Sequence, residues 1–422
     1  MGWSRYIGGR QLGRIVATAL LLASLGGCEQ IEELLGQAAG EPQQNTTTGE
    51  AGQASVYIPP GDYLYCITNI GATMVAYDLT TEQVRADSRR KLYPDPVGPW
   101  FVGQRGFYIS RVAGDGSGKN ALVGFNPVTL DEVARLNFPP NSNPTTMLVL
   151  PGGDTAYVAL RGSTFDNFAT NGVSVVNLAT LTQAGYLNLN DTGVYPAGHG
   201  GGALTSLNGL TWDAACNGGA CVYAVANNWK NVVRQGWLLL LRPGTNDIPT
   251  IADVMALGDS PEGHLLFDAG GALWVVNNGG YGEFGGGPGS LQVLDPAKFD
   301  DGTPDNETLA TLDQGSDTSF PADPTGLYAF DGTIAWLTTY PEDVVRTVDL
   351  AGRSLQALDP NLPRVTGPLF HPQQPAAAVY GGLGGFGTAR LGRLNPSSQA
   401  LLSDQSLLSG GGTVSCAEHT LN

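Results

Sequence analysis

The chain has 422 residues, with 21 Lys and Arg against 38 Asp and Glu, for a formal net charge of −17. That acidity opposes binding to nucleic acid or to an anionic membrane surface, because both reward cationic patches. Glycine at 60 positions and a charged fraction of 14%, against ordinary values of about 7% and about 25%, suit a turn-dense, all-β exported domain.

In chain order, Arg5, Arg10 and Arg14 precede an apolar run from Ile15 to Leu25, the layout of a signal peptide. A run of about 11 residues is too short to span a bilayer, which takes about 20. It ends in Leu25-Gly26-Gly27-Cys28, which resembles the lipobox of bacterial lipoproteins. The resemblance implies a signal peptide over residues 1–27 and a diacylglyceryl group on the Cys28 thiol, so that the membrane is the first partner, reached through the Cys28 lipid. Glu29 at the next position implies sorting to the outer membrane. Without the three N-terminal arginines the balance is 18 against 38, a net charge of −20 for the exported part.

Residues 28–55 are rich in Gln, Gly and Thr, carry few apolar side chains after Leu35, and cannot bury a core. They read as a flexible tether, with a short helix over Glu29 to Leu35. From Val56 to Asn422 the chain repeats. Apolar-aromatic strands are predicted at residues 63–69 (YLYCITN), 106–112, 155–161, 221–227, 272–278, 334–340 and 376–382. Each has a partner strand, at 74–80 (MVAYDLT), 122–128, 173–179, 237–243, 291–297, 345–351 and 391–397. The partners share a marker position, Asp78, Asn126, Asn177, Arg242, Asp295, Asp349 and Asn395, with spacings between 46 and 65 residues. Runs of β-formers bounded by Gly, Pro, Asn and Asp are strand signals. A four-stranded unit repeated seven times closes radially and avoids long exposed sheet edges, so the fold class is all-β, a seven-bladed β-propeller.

Through strands such as YVAL, YAVAN and WVVNN and partners such as VVN, VLD and TVD, residues 56–422 resemble the YVTN-type propellers of prokaryotic surface proteins. Many propellers complete their first blade with the C-terminal strand, and GGTVSCAEH (411–419) is left without a blade of its own. That placement sets Cys416 beside Cys66. With Cys28 lipidated, four cysteines allow three pairings, and Cys216 and Cys221 flank a tight Asn-Gly-Gly-Ala turn. The expected disulfides are Cys66–Cys416 and Cys216–Cys221, which export permits.

Chemistry is sparser. The four histidines, His199, His264, His371 and His419, show no zinc spacing. No Gly-x-Ser-x-Gly elbow is present, and the glycine-rich runs at 114–120 and 279–290 lack the following helix a phosphate cradle needs. The segment SPEGHLLFDAGGALWVVNN (260–278) resembles the first strands of streptogramin-lyase and senescence-marker lactonase propellers. The resemblance implies Glu262 and His264 near the central channel, where Glu262, His264, Asp323 and Asn277 are candidate ligands of Ca2+ or another divalent cation. No cofactor is otherwise expected. Aromatic and amide residues gather after the second strands at Phe165, Asn167, Phe168, Asn227, Asn228, Trp229, Tyr281 and Phe284, on loops that a propeller places on one face. Such groups serve as interface anchors. The expectation is a non-catalytic, membrane-anchored envelope lipoprotein that binds or scaffolds an envelope or extracellular protein or glycan. The alternative is a lactonase- or lyase-like propeller enzyme with a cation in its channel.

Overall fold

The computed structural model describes residues 56–421 except 112–119, 163–169, 198–203, 217–218, 228–234, 280–287, 302–305, 318–319, 322, 330–332, 340–344, 357–364, 371, 373–377, 384–388, 399 and 408–411. Seven antiparallel sheets follow one another along the chain, blades 1 to 7, and together they form a seven-bladed β-propeller. The predicted second strands fall at Gly61–Thr68, Arg105–Ser110, Thr155–Leu160, Cys221–Asn227, Leu273–Asn277, Ile334–Thr339 and Val379–Leu383. Their partners pair beside them, from Thr73–Asp78 in blade 1 to Arg390–Leu394 in blade 7.

These strands read as unbroken apolar runs because both faces of every blade are covered. In blade 1, Leu64 and Cys66 pack with Tyr380 and Leu391 of blade 7, while Tyr65 and Ile67 pack with Tyr108 and Val123 of blade 2. Successive side chains of a strand point to opposite faces, so alternate residues serve alternate neighbours. Among the described residues there are seven buried apolar clusters, one for each interface between adjacent blades.

The repeating marker is a turn device. Asp78, Asn126, Asn177, Asp295, Asp349 and Asn395 each accept a backbone N–H two or three residues on through the side-chain oxygen, at 2.8–3.0 Å. This is the local turn that Asp and Asn favour. Arg242 departs from the pattern for a visible reason. The third strand of blade 4 runs on through Gln235–Pro243, so Arg242 lies inside the ladder opposite Thr250 and pairs with Asp300 at 3.1 Å.

The C-terminal strand Val414–Leu421 pairs in register with Gly61–Thr68 and becomes the innermost strand of blade 1. Cys66 stands opposite Cys416, and the expected disulfide joins them across a Cα separation of 4.2 Å. Cys216–Cys221 forms as well, with a Cα separation of 6.0 Å. A second stitch lies at the rim, where Gln405 of blade 7 accepts from Val84 N–H at 2.8 Å and donates to the Glu82 carbonyl at 2.6 Å. No helix among the described residues is long and apolar enough to cross a membrane.

Candidate functional site in the central channel

The seven innermost strands touch one another in turn and close a ring about the propeller axis. Their pairing with the second strands is uninterrupted in blade 1 and irregular in blades 2 to 7. The irregularity is greatest in blades 5 and 7. In blade 5, Pro261 stands opposite Asn277 and Leu265 opposite Val275, so Glu262, Gly263 and His264 face a single partner residue. A bulge of this kind re-aims side chains. Here it lifts Glu262 and His264 out of the regular alternation that Leu265 and Leu266 resume below.

Glycine makes this part of the ring tight. A Cβ on Gly209 of blade 4 would collide with the Gly263 carbonyl of blade 5, and a Cβ on Gly263 would collide with the Asn208 carbonyl. The same contact carries a polar chain. Arg161 Nε donates to Ser206 Oγ at 2.7 Å, Ser206 lies within 3.4 Å of Asn208 Oδ1, and Asn208 Nδ2 donates to the Pro261 carbonyl at 3.3 Å. Ser206 is buried and held at φ +65°, a left-handed conformation that costs about 1–3 kcal/mol and persists only where the surroundings enforce it.

The chain of contacts ends at the Pro261 carbonyl, next to Glu262. His264 Nε2 lies 3.1 Å from Oη of Tyr328, which comes from the innermost strand of blade 6, Pro324–Ala329. The two rings meet edge to face with centroids 4.9 Å apart. His264 is half-buried, yet protein surrounds it closely enough that desolvation lowers its pKa to about 4. The imidazole is therefore neutral near pH 7. Tyr328 is pushed well above the ordinary phenol value, first by burial and then by the negative charge of Glu262, with the Thr338 hydrogen bond working the other way. It stays a hydroxyl. Thr338, itself buried, lies 3.0 Å from Thr325 and donates to the Gly326 carbonyl at 3.3 Å.

The ring thus brings together Glu262 and His264 of the predicted set. Tyr328, Thr338, Arg161 and Ser206 were not foreseen. The signal for Tyr328 was present as a repeated strand start, Pro261-Glu262-Gly263 and Pro324-Thr325-Gly326. Asn277 is fully buried on its second strand. Its amide donates to Ser290 Oγ at 3.1 Å and Gln292 Oε1 at 2.8 Å, and Gln292 also accepts from Gly258 N–H of blade 4. It therefore ties blade 5 to blade 4. Among the described residues the donor atoms of Glu262, His264 and Asp323 do not gather within 4.8 Å of one another. As placed, these three side chains do not form a closed cation site.

The described group that does gather is Asp213, Cys216 and Cys221. Its two sulfurs are joined as a disulfide and offer no thiolate. Of the expected binding-face residues, Asn227 is the last residue of its strand and is 3% exposed, a buried position rather than a surface anchor. Phe165, Asn167, Phe168, Asn228, Trp229, Tyr281 and Phe284 lie outside the described residues, as does Cys28. A cleft of about 420 Å³ between blades 5 and 6 opens on the opposite face. Its Asp268 already accepts from Gly270 N–H, Ala272 N–H and Trp274 Nε1, each at 2.9 Å, as a turn-forming group.

No protein-family model matches the chain, and no curated protein matches it in sequence. Solved structures do. A periplasmic gluconolactonase from Pseudomonas aeruginosa is 15% identical with a TM-score of 0.59, covering 84% of this chain and 99% of its own. A candidate 6-phosphogluconolactonase from Bacteroides fragilis is 11% identical with a TM-score of 0.54, covering 84% and 98%. A dihydro-heme d1 dehydrogenase is 11% identical with a TM-score of 0.51, covering 94% and 87%. With these enzymes as its structural neighbours, the expectation of a non-catalytic binding or scaffolding propeller is corrected. For this chain itself, likeness at such identities establishes the propeller fold.

Proposed function

We propose that this protein is an exported lactone hydrolase whose reaction takes place in the central channel, at Glu262, His264 and Tyr328. The observation that carries the reading is the His264–Tyr328 pair with Glu262 beside it, at a bulge of an innermost strand. The gluconolactonase and 6-phosphogluconolactonase names of the neighbouring propellers support a sugar lactone as the substrate class.

Opening a lactone requires a water to add to the acyl carbon, a proton acceptor for that water, and a donor for the oxygen that becomes negative. An imidazole with a pKa of about 4 is a poor proton acceptor near neutrality. The accepting role therefore falls to the Glu262 carboxylate. Tyr328, kept protonated by burial and by the charge of Glu262, donates a hydrogen bond to the carbonyl oxygen as it becomes an oxyanion. Neutral His264 fixes the phenol without adding a charge. When the ring C–O bond breaks, the proton taken by Glu262 passes to the departing alkoxide, giving the hydroxy acid.

The membrane setting belongs to the same proposal. Cys28 carries a lipid that holds the domain at the envelope, on the outer membrane, with residues 28–55 as tether. The periplasmic source of one neighbour supports the exported setting.

The test is hydrolysis of glucono-δ-lactone and of a panel of five- and six-membered lactones, followed by acid release. Glu262→Gln is expected to reduce kcat/KM by about 10²-fold or more, in the range of lost general-base catalysis. Tyr328→Phe is expected to lower kcat more than it raises KM. Wild-type protein that opens none of these lactones, or a Glu262→Gln variant as active as wild type, would overturn the reading.

A further inference from the structure

We propose that Gly326 is a positioning residue for the His264–Tyr328 pair: the lack of a side chain there lets the phenol lie back along its own strand and reach His264. A Cβ at Gly326 would stand 2.5 Å from Tyr328 Oη and 2.8 Å from Cε2 and Cζ, distances that real Cβ contacts essentially never show. The three nearest atoms all belong to Tyr328. No backbone of a neighbouring strand is among them, in contrast to Gly209 and Gly263.

Backbone conformation does not explain the glycine either. Gly98 of blade 2 lies under Trp100 in the same two-residue relation, but its φ of +117° by itself favours glycine. Gly326 carries no such φ and sits in the ladder opposite Thr338. Space for the phenol is what remains.

Tyr328 packs against the cluster of Trp336, Val345 and Val379 between blades 6 and 7. A methyl group at position 326 therefore drives the phenol end away from the strand, and Oη is the atom that holds His264 Nε2. Only the link from this geometry to turnover rests on the lactone-hydrolase reading.

The experiment compares Gly326→Ala, Tyr328→Ala and the double variant in the full chain, following the His264 imidazole by NMR titration and the fold by thermal midpoint. Displacing the phenol admits water to the imidazole and removes its partner. The His264 midpoint in Gly326→Ala is thus expected to rise from about 4 toward the ordinary 6.5 by about one pH unit or more. The cost of Gly326→Ala to the thermal midpoint is expected in the Tyr328 background and absent in the Tyr328→Ala background, which keeps the test readable even if the single variant folds poorly. On lactones, Gly326→Ala is expected to lower kcat about as much as Tyr328→Phe, and to add nothing to it. An unchanged His264 titration in folded Gly326→Ala would overturn the proposal. So would equal destabilisation with and without Tyr328, which would assign Gly326 to strand approach. If wild-type protein opens no lactone, the function reading falls while the titration and stability arms still decide the role of Gly326.

Discussion

His264 makes the stability of the propeller depend on pH in a way that one substitution isolates. In the unfolded chain the imidazole takes up a proton near the ordinary 6.5, and in the folded protein only near 4, because burial disfavours the cation. Between those values the unfolded state binds the extra proton, so stability is full above 6.5 and falls as the pH falls. For a single site with these two constants the loss is about 2 kcal/mol at pH 5 and reaches a ceiling of about 3 kcal/mol below pH 4. His264→Gln keeps a hydrogen-bonding group near Tyr328 and removes the titration. Urea unfolding near pH 7.5 and near pH 5 is then expected to show wild type losing about 2 kcal/mol more than the variant. His419, whose pKa burial also lowers, and the many carboxylates are common to both proteins and cancel in the comparison. Equal losses, within about 0.5 kcal/mol, would mean that His264 is open to bulk water in the folded state. The neutral imidazole assigned to the site would go with it.

Replacing Cys66 and Cys416 together by Ala opens a loop of 350 residues and is expected to cost about 2–5 kcal/mol; an unchanged unfolding midpoint would show that the strand pairing alone closes the ring. Asp349→Ala removes the acceptor that holds Gly352 N–H at 2.8 Å and is expected to cost about 1 kcal/mol, with no change in the His264 titration. Gly209→Ala forces blades 4 and 5 apart where their innermost strands touch, and soluble yield with a native circular-dichroism spectrum would refute that contact. Cys28→Ser is expected to abolish incorporation of labelled fatty acid and release the protein from the membrane fraction, and persistent labelling would refute the lipid anchor.

The fold was legible because the propeller writes its geometry into every blade. Burial on both faces leaves an apolar run such as Leu64 to Ile67 unbroken, and a turn at each third strand demands Asp or Asn, as at Asp349 and Asn395. Even the exception was instructive, since Arg242 marks a strand that continues past the usual turn. The Cys66–Cys416 disulfide followed from the same logic, because the C-terminal strand had one vacant place to fill. The site was legible only in part. Glu262 and His264 stood out in one segment, whereas Tyr328 lies 64 residues beyond His264 and meets it only because blades 5 and 6 are neighbours in the ring.

A deeper reason lies in the innermost strands themselves. In a regular strand the side chains alternate between the two adjacent blades, and a reading by alternation assigns every residue to an interface. Asn277, on a regular second strand, obeys that rule and points toward blade 4. His264 does not, because the bulge between Pro261 and Leu265 sets three residues against one. Nothing in the period of the sequence announces a bulge, although Gly263 lies inside this one and is packed against the backbone of the neighbouring strand. The irregular first strands of blades 2 to 7 are thus where the propeller stops being a repeat. Polar groups separated by a whole blade of sequence are brought together across these strands, Arg161 with Ser206 and His264 with Tyr328. The regularity that reveals the architecture therefore says little about the polar contacts made where the innermost strands depart from it.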